Sequence, residues 1–68
     1  MMNNLKWDYE FKSFYDYFTQ RWVIKQRIPE CESKNRWVLH SSKLYDTQSD
    51  CDEFIRRELI NKYKVWQR

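Results

Sequence analysis

Few side chains in this chain can do chemistry. His40 is the only histidine, and Cys31 and Cys51 are the only cysteines. His40 could act as a general base beside Ser41, Ser42 or Cys51, but no serine or cysteine sits in a nucleophile-elbow pattern. A core this small also offers thin apolar walls for shifting a pKa. A half-exposed strand histidine is the simpler assignment, so the sequence predicts a non-enzyme with no catalytic residue and no cofactor. Cys31, His40 and Cys51 are the ordinary zinc ligands present, and no two of them stand two residues apart. A structural zinc site takes about four ligands, so no metal is expected. Asp46, Asp50, Asp52 and Glu53 could hold a hard cation, yet carboxylates at a helix start read first as partners of the helix dipole.

The stronger signal is electrostatic. The net charge is +3, and the cations are concentrated in residues 21–43, which hold six cations and two anions. Arg21, Lys25, Arg27 and Arg36, with Lys34 and Lys43 at the strand ends, form a candidate patch for phosphates or for a partner's carboxylates. The competing reading is a sheet face that bears Arg and Lys only for solubility. Tyr9, Tyr17 and Tyr45 fall off the apolar stripes described below and are candidate interface aromatics.

The elements that must position these residues belong to a single domain spanning 1–68, because a chain of 68 residues has no room for a second core. Hydrophobic residues make up 41% and aromatic residues 19%, enough large side chains to argue against disorder despite 34% charged residues. Glycine is absent and Pro29 is the sole proline, which excludes Gly-rich phosphate loops and flexible linkers. The longest apolar runs, Trp22-Val23-Ile24 and Trp37-Val38-Leu39, have three residues each, far short of the roughly 18 of a membrane span. No signal peptide is evident, so the expected setting is the cytoplasm, with both cysteines as free and dispensable thiols.

Trp7, Phe11, Phe14, Tyr15, Phe18 and Trp22 recur at helical intervals, with Asn3 or Asn4 as a cap, which predicts an N-terminal helix. Leu5, Trp7, Tyr9 and Phe11 alternate instead, which predicts a strand, and both readings stay open. Residues 20–28 and 36–42 carry the repeated quartets Arg21-Trp-Val-Ile and Arg36-Trp-Val-Leu on either side of the polar loop 29–35, as in an antiparallel hairpin. In register, Trp22, Ile24, Trp37 and Leu39 would share the core face, leaving Arg21, Val23, Lys25, Arg27, Arg36, Val38 and His40 outside. Thr47 and Ser49 each precede an acid by three residues, and Cys51, Phe54, Ile55, Leu59, Tyr63 and Trp66 recur at helical spacing, with Lys62, Lys64 and Arg68 near the end. This helix should cover the hairpin and pack Ile55 and Leu59 onto Trp22 and Trp37. The fold class is α+β: a two- or three-stranded antiparallel sheet against a C-terminal helix, preceded by an N-terminal helix or strand.

Arg21-Trp-Val-Ile, Arg36-Trp-Val-Leu and the helix opened by Thr47 together resemble the arm-site DNA-binding domains of tyrosine-type phage integrases. The likeness covers about the last two thirds of the chain, without that family's third strand or its Gly-rich turns. It implies a DNA- or RNA-binding module that uses the basic outer face of the hairpin. The size, the Asn, Lys and Tyr usage and the lack of Ala and Gly also resemble the small early proteins of AT-rich phages, among them anti-CRISPR and other anti-defence inhibitors. That likeness implies a stoichiometric inhibitor whose partner is a host protein or ribonucleoprotein complex. No membrane partner is expected, and the oligomeric state is not legible.

Overall fold

The computed structural model describes residues 7–65. It contains a three-stranded antiparallel sheet in the order β1-β2-β3, with a helix following the last strand. The α+β class and the sheet-plus-helix architecture agree with the sequence. The proposed caps Asn3 and Asn4, Leu5 of the alternating series, and Trp66 and Arg68 of the C-terminal stripe lie outside the described residues.

The N-terminal segment is strand β1, Glu10–Asp16, and not the helix that the aromatic intervals also allowed. It pairs along its whole length with β2, Arg21–Arg27, in a register that sets Glu10 opposite Arg27 and Asp16 opposite Arg21. The strand wins because its alternate residues bury against two different layers: Phe11 packs on the core while Phe14, three residues on, rests against Trp37 on the other side. A four-residue turn, Tyr17–Gln20, joins the two strands, closed by the Gln20 amide donating to the Asp16 carbonyl at 2.8 Å. With no glycine in the chain, Gln20 itself takes the left-handed conformation, at φ 59°.

The third strand is shorter than the second quartet suggested. β3 is Val38–Leu39, paired with Gln26 and Lys25. Beyond it the chain stays beside β2, with the His40 amide donating to the Ile24 carbonyl and a further bridge between Trp22 and Tyr45. The loop before β3 folds in on Ile28 and Cys31, both buried, around a 3₁₀ turn at Glu32–Lys34. Its closure sets Leu39 against Lys25, which moves Trp37 and Leu39 to the face opposite Trp22 and Ile24. The expected common face of both Trp residues is therefore wrong by one residue of register, and in a strand pair one residue exchanges every side chain between faces. Val38 and His40 correspondingly lie on the helix side.

The helix starts as predicted. Thr47 is the N-cap, its hydroxyl accepting from the Asp50 amide at 3.1 Å. The helical run comprises α1, Gln48–Phe54, a π-helical turn at Ile55–Leu59, and α2, Ile60–Lys62. The π turn has a sequence cause. Cys51, Ile55 and Leu59 are four residues apart, and each four-residue step in an ideal α-helix overshoots a full turn by about 40°. Widening the turn, with the Ile60 amide bonded to the Ile55 carbonyl, keeps the three on one face. They pack with Ile24 and Tyr45, and Phe11, Trp22, Phe54 and Tyr63 close the edges of this core. Cys51 is completely buried, so the expectation that it is dispensable is corrected: it occupies the centre of the core. After the helix the chain returns beside β1, where the Tyr9 amide donates to the Lys64 carbonyl at 2.8 Å.

Candidate binding surface

The sheet separates two surfaces. On the helix side, the His40 Nδ1–H donates to the Gln26 side-chain oxygen at 2.7 Å, and the ring meets those of Phe11 and Tyr63 edge-on. Burial, reinforced by the nearby Lys62 charge, lowers its pKa below the ordinary histidine value. This is a packed structural histidine. Among the described residues no group of three or more His, Cys, Asp or Glu side chains could hold a metal ion. Three of the four acidic residues at the helix start are engaged elsewhere: Asp46 pairs with Arg21 at 3.0 Å, Glu53 with Arg57 at 3.2 Å, and Asp52 accepts from the Ser13 hydroxyl. Cys31 and Cys51 are free thiols. The Ser33 hydroxyl beside Cys31 lowers that thiol's pKa, whereas burial raises the pKa of Cys51.

The face away from the helix is a layer of cations on aromatic rings. Strand alternation places Lys12 and Phe14 of β1 with Val23, Lys25 and Arg27 of β2 and with Trp37 and Leu39. Phe14 and Trp37 lie 5.1 Å apart, the Lys25 ammonium sits 4.9 Å from the Phe14 centroid, and the Arg27 guanidinium sits 4.7 Å from that of Trp37. Val23 is buried beneath this layer, which explains an apolar residue among cations.

The candidate patch is thereby divided. Arg27 is a framework residue, bonded to the buried Glu10 at 2.8 Å, and Arg21 is tied to Asp46. Lys25 belongs to the outer layer. Lys34 and Arg36, both exposed, line a shallow groove with Arg27 and Val38 at the end of the sheet remote from the β1–β2 turn. Lys43 stands apart, over the Tyr45 ring at 5.4 Å. Of the three tyrosines, Tyr45 is buried in the core and Tyr9 is half-buried against Phe11 and Tyr63. Tyr17 alone is open to solvent, 82% exposed.

Beside Tyr17 the structure presents a residue that sequence reasoning missed. Phe18 is 99% exposed at the apex of the β1–β2 turn. The helical stripe had assigned it to a core. The useful signal was the doublet Tyr17-Phe18 followed by polar Thr19-Gln20, a turn position with nothing to pack against. Tyr15 and Tyr17 meet edge-to-face at 4.8 Å, and Tyr15 meets Trp22 at 5.4 Å, so Tyr17, beside the apex, stands on a braced aromatic column. Lys12 was likewise missed, because its segment stayed open between helix and strand and so had no assigned sheet face. Among the described residues no helix is long and apolar enough to cross a membrane. Comparison of the chain with protein-family models, curated proteins and solved structures finds no match.

Proposed function

We propose that this chain is a non-enzymatic, cytoplasmic binding protein, an inhibitor of the kind phages encode, which blocks a host defence or nucleic-acid-handling complex by protein–protein contact. The observation that carries this reading is the apex of the hairpin. A fully exposed phenylalanine next to an exposed tyrosine is unfavourable to maintain in water and gains its apolar burial only on a partner. Tyr15, itself edge-on to Trp22, braces the neighbouring Tyr17 ring from behind, which lowers the ordering entropy that ring loses on docking. Exposed aromatic side chains of this kind are what protein interfaces use as hot spots. The engagement of His40 in packing supports a role without catalysis.

The second reading, a DNA- or RNA-binding module, is favoured by one specific observation. The N-terminal segment supplies a third strand ahead of the hairpin, so a three-stranded sheet precedes the helix and keeps a cation-bearing outer face. Against it, Arg21 and Arg27 are neutralised by carboxylates. Affinity purification from a bacterial lysate with and without nuclease decides between the two. A host protein that survives nuclease treatment supports the inhibitor, and nucleic acid recovered alone supports the other.

A further inference from the structure

The β1–β2 ladder has three directly opposed charged pairs, all on the outer face. Glu10 faces Arg27 and Asp16 faces Arg21, each complementary, but between them Lys12 faces Lys25. Like charges directly opposite each other across an antiparallel pair are destabilising. Both ammoniums are drawn to one ring, Lys25 at 4.9 Å and Lys12 at 5.8 Å from the Phe14 centroid. Neither has an ion-pair partner among the described residues. Asp16 lies near enough to feel the Lys25 charge but forms no ion pair with it, and its carboxylate accepts from the Thr19 hydroxyl at 2.7 Å. A local rule broken where its neighbours obey it marks a place where something other than stability has been optimised.

We propose that Lys12 and Lys25 form an anion-receiving site for the carboxylates of an acidic protein segment. This rests on the reading of the chain as a protein-binding inhibitor and gives its partner a chemistry. Carboxylates fit better than nucleotides because the rings here already carry neighbours. Phe14 bears the two ammoniums, and Trp37 is flanked by Phe14 and by the Arg27 guanidinium, so unstacked bases find no free aromatic platform. Leu39, exposed beside Lys25, adds an apolar rim suited to a peptide.

The test uses the full chain, a fluorescein-labelled hexaglutamate peptide, and labelled single- and double-stranded oligonucleotides, all followed by anisotropy at low salt. Lys12→Glu should raise the melting temperature by about 4 °C, because the opposed pair becomes complementary. The same change should weaken peptide binding at least tenfold, whereas Lys62→Glu, an equal charge change on the helix, should leave it within twofold. Peptide binding that is indifferent to Lys12→Glu, or that falls equally with Lys62→Glu, overturns the site. Oligonucleotides that bind more tightly than the peptide through the same lysines overturn the carboxylate assignment in favour of phosphate. Lysate capture by Lys12→Glu and Phe18→Ser separates this inference from the broader reading. If only Phe18→Ser loses a nuclease-resistant partner, the inhibitor stands and the lysine site falls. If the peptide behaves as expected but wild type captures no protein, the site stands and the inhibitor falls.

Discussion

Replacing Phe18 by Ser should separate folding from binding. A phenylalanine ring presents about 150–250 Å² of surface, and at 99% exposure almost none of it is removed from water in the folded chain. At about 25 cal/mol per Å² its burial contributes less than roughly 0.1 kcal/mol to folding, so loss of the ring should change stability by no more than about 0.5 kcal/mol. In a complex the same ring, fully covered, is worth up to about 4–6 kcal/mol on the same scale, before the entropy of ordering is subtracted. A hot-spot loss of at least about 2 kcal/mol, roughly thirtyfold in affinity, is therefore expected. Thermal denaturation and quantitative capture of the nuclease-resistant partner, run on the same preparations, measure both sides. A melting temperature lowered by more than about 8 °C would show that the ring packs in solution. Wild-type capture by the variant would remove the hairpin apex from the interface.

Leu59→Ala, at a site only 2% exposed between Cys51 and Ile24, should cost about 2–5 kcal/mol and leave a domain this small largely unfolded, as read by circular dichroism. Gln20→Gly removes a side chain from the left-handed region and should stabilise the hairpin by about 0.5–1 kcal/mol in denaturant titrations; a loss would mean that Gln20 makes a contact worth more than its strain. His40 has a folded-state pKa below its unfolded value, so the unfolded chain binds the extra proton and stability falls as pH drops through the unfolded histidine range near 6.5. His40→Gln should flatten the melting temperature between pH 7 and pH 5.5, and an unchanged slope would place its origin elsewhere.

Local rules carried much of this fold in the sequence. The Thr47 cap, the four-residue recurrence of Cys51, Ile55 and Leu59, and the first Arg-Trp-Val quartet each specify a neighbourhood of a few residues, and each is found where the pattern puts it, whereas the second quartet yields only the short strand Val38–Leu39. The same pattern could not choose between helix and strand for residues 10–16, because Trp7, Phe11, Phe14 and Tyr15 keep helical intervals while Trp7, Tyr9 and Phe11 alternate, and only packing on two different layers decides. Nor could it choose the parity of the β2–β3 pairing. That parity follows from how Ile28 and Cys31 bury and close the intervening loop, a long-range event with no signature in the spacing of Trp22 and Trp37. The candidate surface depends on that decision. The basic composition of residues 21–43 was visible from the chain alone, but which cations stay unpaired was not: Glu10 neutralises Arg27 and Asp46 neutralises Arg21 only because the register brings them together. Lys12 faces Lys25, and Phe18 stands in solvent, for the same physical reason: a β-hairpin assigns each side chain a face and a neighbour through pairing across the chain, which no single segment contains.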